Sequence, residues 1–215
     1  MESISSSIQI SCGKLDTELK AACASMDKKQ IPSLLFSKDP SLWKKDPRQV
    51  KEISERLGWL SIPDHFEKQS EALVSFAATI KKEGYTHAVL LGMGGSSLCS
   101  EVARMTFGST AGYPQLLVLD NTDPAAILEL EKKINLGKAL FIVASKSGNT
   151  EETLSFFHYF YSELEKQKAD KPGNNFVAIT DDGTPLVKIA AQYKFRKVFL
   201  NQPDLGGRYS VLSDF

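Results

Sequence analysis

The sequence predicts an α/β fold: a three-layer, doubly wound sheet of about five parallel strands, with a helical N-terminal extension. Short apolar runs at residues 87–91, 116–119, 140–144, 176–180 and 197–200 are each bounded by turn residues. Helix-period patterns separate them at 97–107, 125–134, 151–165 and 186–193. Short apolar strands alternating with helices imply a parallel sheet with helices on both faces. A chain of 215 residues is long enough for one well-buried domain plus an extension.

The elements follow in order. Residues up to about Pro63 are Ser-rich and Lys-rich, with prolines at Pro32, Pro40, Pro47 and Pro63. A short helix is expected over 14–26. Another is expected over 47–57, where Pro47 suits a first helical position. Val50, Ile53 and Leu57 give it an apolar stripe, and Gly58 ends it. Residues 1–63 are therefore expected to form an extension or connector. The main domain is expected over 64–203, opening with an amphipathic helix marked by Phe66, Leu73, Phe76, Ala77 and Ile80 that ends near Gly84. The broad apolar run Phe156, Phe157, Phe160, Tyr161 and Leu164 reads as a deeply buried helix rather than a cofactor pocket.

Composition excludes several classes. Lys plus Arg and Asp plus Glu both number 26, so the net charge is zero. Neither nucleic acid nor an anionic membrane is favoured as a partner. Cys12, Cys23 and Cys99 are few, odd in number and widely spaced, which fits a reducing, cytoplasmic setting rather than a disulfide framework or a zinc site. The N-terminus lacks the charged start and apolar core of a signal peptide, and no apolar run reaches the roughly 20 residues that span a bilayer. His65, His87 and His158 are isolated and without metal-ligand spacing, so packing or surface roles are expected.

In open parallel sheets ligands bind beyond the carboxyl ends of the strands, so the chemistry is sought in the turns there. The first turn is Gly92-Met93-Gly94-Gly95-Ser96-Ser97, between a strand and a helix. Glycines let backbone approach a ligand, the helix start favours an anion, and the serines add donors. As a dinucleotide fingerprint it fails, because Ser97 stands where the last glycine belongs and Asp120 comes too late. Asp120 to Pro124 reads as a helix start, with Asp123 capping and Pro124 in the first turn. The second turn is Ser145-Lys146-Ser147-Gly148-Asn149-Thr150. It combines hydroxyls, a positive charge and a helix start, with Asn149 and Glu152 or Thr150 and Thr153 available as reciprocal caps. These groups suit a phosphate monoester, which needs several donors at once.

The two turns, in this order on this frame, resemble the sugar-isomerase (SIS) phosphate-binding domain, a Rossmann-like fold shared by several enzymes and some sugar-phosphate-sensing regulators. A third segment narrows the likeness. Asp204-Leu205-Gly206-Gly207-Arg208-Tyr209-Ser210 resembles the Gly-Gly-Arg-(Phe/Tyr)-Ser motif of the glucose-6-phosphate isomerases. Leu42 to Pro47 and Arg56 to Leu60 are similar to the connector before the isomerase half of bifunctional transaldolase/glucose-6-phosphate isomerases. The resemblance runs from about Ser41 to Phe215, and the first 40 residues lie outside it.

The resemblance implies an aldose–ketose isomerase that interconverts glucose 6-phosphate and fructose 6-phosphate through an enediolate. It needs no cofactor, since the substrate carbonyl acidifies the proton. Gly94, Gly95, Ser96, Ser145, Lys146, Ser147 and Thr150 would hold the phosphate. Ser147 stands where the family most often has threonine and keeps the hydroxyl. Arg208 would stabilise the enediolate oxygens. The family's base glutamate, ring-opening histidine and late lysine lie downstream of this motif. Residues 204–215 are thus expected to begin an active-site segment leading into a second domain, and the chain alone is expected not to isomerise. A homodimer is implied for the full-length protein, with a transaldolase fusion as an option. Two other readings stay open from sequence: a sugar-phosphate-binding module without catalysis, and a nucleotide-binding α/β domain.

Overall fold

The computed structural model describes residues 11–215. The Ser-rich start, with its lack of a leader pattern, lies outside the described residues. The chain divides after Ser54 into two compact units. The first holds helices α1 (Asp16–Lys28), α2 (Ile31–Phe36) and α3 (Pro47–Ser54), none of which contains a buried residue. Asp46 starts α3 by accepting from the N–H groups of Arg48 at 3.1 Å and Gln49 at 3.2 Å, with Pro47 in the first turn. The expected continuation of this helix to residue 57 does not form. Leu57 instead leads into a 3-10 turn over Gly58–Leu60. The short helix α2 was not foreseen, since six residues carry little periodicity.

The second unit begins with α4 (Ile62–Lys82), whose first turn contains Pro63. Then come β1 (His87–Gly92), α5 (Gly95–Phe107), β2 (Gln115–Leu119), α6 (Pro124–Lys133), β3 (Ala139–Ala144), α7 (Glu151–Lys166), β4 (Phe176–Asp181), α8 (Pro185–Gln192) and β5 (Lys197–Asn201). The five strands pair in the order β2-β1-β3-β4-β5, all parallel, which bears out the expected doubly wound sheet.

Strand alternation sends side chains to two faces. Val89, Leu91, Phe141, Val143, Phe176 and Ala178 join Phe156, Phe157, Phe160 and Leu164 of α7 and Leu186 of α8 in the main core. Phe141 stacks on Phe160 at 4.7 Å and on Phe176 at 5.1 Å between ring centroids. Truncating one such phenylalanine to alanine costs about 3–5 kcal/mol. On the other face Leu140 and Val177 pack against Ile80 and Phe76 of α4, while Phe215 reaches Leu90, Ala144 and Ile179. The aromatic run of α7 is thus core, as its periodicity indicated. Among the described residues no helix is long and apolar enough to cross a membrane.

Candidate active site

The strand order places the site. From β1 the chain moves to β2 on one side, and from β3 it moves to β4 on the other, so the ends of β1 and β3 form the switch point at which open parallel sheets bind ligands. The last residues of these strands, Gly92 and Ala144, are register partners. The two donor-rich turns therefore leave the sheet side by side.

In the first turn the Ser96 N–H donates to Met93 O at 3.2 Å and the Ser97 N–H to Gly94 O at 3.1 Å. The Ser97 hydroxyl is buried and also donates to Gly94 O, at 3.1 Å. Gly94 caps α5 and is exposed, while Gly95 and Ser96 are half-buried. The Ser97 hydroxyl thus shapes the turn, and that of Ser96 has no hydrogen bond among the described residues.

In the second turn Ser145 is buried, with its N–H donating to Ile179 O at 3.0 Å. Its hydroxyl accepts from the Gly148 N–H at 3.1 Å and lies 2.8 Å from the Thr150 hydroxyl. Thr150 is the N-cap of α7, yet its side chain makes no capping hydrogen bond. The expected reciprocal caps are absent because the Thr150 hydroxyl is turned inward to Ser145. The Thr153 hydroxyl is buried without a partner. Ser147 is exposed, as are Glu151 and Glu152 of the first helical turn.

The Lys146 ammonium is paired with the Asp181 carboxylate at the end of β4. The Asp181 N–H and the Thr180 hydroxyl both donate to Lys146 O, at 3.3 Å and 3.4 Å. The Thr180 and Thr184 hydroxyls lie 2.8 Å apart. The tip of β4 thus clasps the turn, and the positive charge read from the sequence is compensated by a neighbouring carboxylate. Burial pushes the Asp181 carboxyl above its ordinary value, and Lys146 offsets this only in part. Asp181 Oδ1 is buried without a partner, as are both side-chain polar atoms of its register neighbour Asn201.

The third segment meets the first turn. A Cβ on Gly95 would lie 2.5 Å from Gly207 O, so only glycine permits this approach. The buried Ser210 hydroxyl donates to Gly207 O at 2.8 Å and reaches Gly95 O at 3.5 Å. Arg208, in the turn Gly207–Tyr209, is exposed and makes no hydrogen bond or ion pair among the described residues. The sequence reading missed Asp181, Thr184 and the structural hydroxyls of Ser97 and Ser210. The turn after β4 was the available signal, because it lies at the same edge and holds Thr180, Asp181 and Thr184.

This arrangement offers hydroxyls, backbone donors and helix starts in two adjacent turns, with the segment that carries the exposed Arg208 packed on the first of them. Such a set suits a phosphorylated small molecule with further oxygens to be stabilised. Comparison with known proteins identifies a family. A family model described as phosphoglucose isomerase matches residues 64–215. A glucose-6-phosphate isomerase of Campylobacter jejuni is 35% identical over 135 residues, covering 61% of this chain and 32% of that protein. A probable glucose-6-phosphate isomerase of Methanococcus maripaludis is 31% identical over 169 residues, covering 76% of this chain and 36% of the relative. The chain thus spans about a third of the length of these curated relatives. Two solved structures share the fold. A hypothetical protein of Thermus thermophilus has TM-score 0.70 and 24% identity, covering 93% of this chain and 45% of that one. A glucose-6-phosphate isomerase of Chlamydia trachomatis has TM-score 0.60 and 23% identity, covering 83% and 32%.

Proposed function

The chain belongs to the phosphoglucose isomerase family, and from that premise we propose that its paired turns hold the phosphate of glucose 6-phosphate and fructose 6-phosphate, which the whole protein interconverts. The observation that carries this reading is the contact of Gly207 with Gly95, which joins the arginine segment to a phosphate turn. The phosphate is dianionic and tetrahedral. Ser96, Ser145, Ser147 and Thr150 supply hydroxyls, Gly94 and Gly95 supply close backbone, and Lys146 holds the shape of the second turn through Asp181. Each hydrogen bond to the charged phosphate contributes about 1.5–3 kcal/mol.

The reaction opens the sugar ring and moves a proton between C2 and C1. A base takes the C2 proton of the aldose, the electron pair passes to the carbonyl, and an enediolate forms. Passage of the C2 hydroxyl proton to the C1 oxygen and return of the abstracted proton to C1 give the ketose. Arg208 stabilises the oxygens on which negative charge develops. Holding the remote phosphate orients the reacting carbons, so binding energy there lowers the barrier elsewhere. In this reading the residues present hold the phosphate, and the base that the reaction needs is not among those assigned to the two turns.

The test is calorimetry with 6-phosphogluconate and with gluconate. The chain is expected to bind the first and not the second, and Thr150→Ala is expected to weaken only the first. Equal affinity for both ligands would overturn the phosphate assignment.

A further inference from the structure

The Arg208 guanidinium is unpaired among the described residues, and a free arginine side chain carries about 2 kcal/mol of rotamer entropy. Its useful direction must therefore come from the backbone that carries it. That backbone is held by a segment far away in sequence, residues 56–59, within the same compact unit. The Gly58 N–H donates to Asp204 O at 2.8 Å. A Cβ on Gly58 would lie 2.5 Å from Asp204 Oδ1 and 2.8 Å from Asp204 O, so glycine is required for the approach. The Trp59 ring stacks on Tyr209, the residue after Arg208, at 5.9 Å between centroids and 26° between planes. The stem of Arg56 flanks Gly206, with Cγ and Cβ 3.7 and 3.8 Å from where a Gly206 Cβ would stand. Buried Leu57 anchors the turn. Residues 204, 206 and 209 are thus each met by a neighbour from 56–59, while Gly207 rests on Gly95.

We propose that residues 56–59 are a positioning element for Arg208, bracing the 204–209 segment against the first phosphate turn so that the guanidinium is aimed at the substrate's reacting oxygens. The aim rests on the function proposed above; the brace itself does not. Trp59 acts through its stack on Tyr209. A structural role alone would lower stability evenly. A positioning role separates ligands that use Arg208 from those that use only the phosphate turns.

The experiment measures binding to the 215-residue chain by calorimetry. One probe is inorganic phosphate. The other is a sugar-phosphate hydroxamate, whose planar pair of oxygens imitates the enediolate. Trp59→Ala is expected to weaken the hydroxamate roughly two- to tenfold, the range of one aromatic stack, with phosphate affinity unchanged. Trp59→Phe is expected to restore wild-type affinity, and Gly58→Ala to behave like Trp59→Ala. Equal losses for both probes, or none for either, would overturn the positioning role. Arg208→Ala is measured beside them. If it does not separate the two probes, the function assigned to Arg208 fails, and the brace is decided by amide hydrogen exchange over residues 205–210. Exchange that is faster in Trp59→Ala than in Trp59→Phe supports the brace, and unchanged exchange overturns it.

Discussion

The Lys146 ammonium is bound to the Asp181 carboxylate, one strand away, rather than standing free. The lysine of the second turn is therefore engaged in a pair. Removing the lysine alone leaves a carboxylate uncompensated beside the proposed phosphate site, while removing both charges does not. Lys146→Met is expected to weaken 6-phosphogluconate binding by about tenfold, on the scale of one hydrogen bond to a charged group. Lys146→Met with Asp181→Asn is expected to recover most of that loss in calorimetry. A double variant as weak as the single one would show that the ammonium itself meets the phosphate.

The same carboxylate sets a pH dependence of stability. Burial raises its pKa in the folded chain above the ordinary 3.8, so the folded state holds this proton more tightly than the unfolded chain does. The resulting stabilisation is complete below pH 3.8 and is lost as pH rises through the raised folded value. Asparagine does not titrate. The melting temperature of Asp181→Asn relative to wild type is therefore expected to rise between pH 3.5 and pH 7. A constant or falling difference in scanning calorimetry would contradict the direction of the shift.

Gly95→Ala tests the contact between the first turn and the arginine segment. The new methyl would meet Gly207 backbone, which cannot rotate away as a side chain can. Overpacking of this kind costs about 1–3 kcal/mol, a fall in melting temperature of roughly 2–12 °C for a domain of this size. Gly137→Ala is the control, since its nearest neighbour, Asn135 Oδ1, would lie at an ordinary 3.5 Å. Equal melting temperatures for the two variants would remove the close approach from the account.

The strands were legible because each is a short apolar run between turn residues. The expected 140–144 and 197–200 differ from Ala139–Ala144 and Lys197–Asn201 by one residue at an end. Asp123 was legible as a helix cap for a local reason, and its carboxylate accepts from the Ala125 N–H at 2.8 Å. The side chain of Thr150 was not legible, because a tertiary contact with Ser145 competes with the local cap and wins. Asp181 was missed, and Gly58 was read only as a helix end, for a related reason. Each acts on a segment distant in sequence, Lys146 and Asp204 respectively, and periodicity carries no record of which turns meet at a sheet edge. The glycine-rich and hydroxyl-rich turns stood out because such residues are costly without a use.

The central claim is that one phosphate lies between the turns at 94–97 and 145–150. The most direct measurement is a crystal structure of the chain with fructose 6-phosphate. The account predicts the phosphorus within hydrogen-bonding reach of the Ser145 to Thr150 donors and beside the first turn, with the sugar directed toward Arg208. Well-defined fructose 6-phosphate bound elsewhere on the chain, with both turns free of it, would contradict the claim.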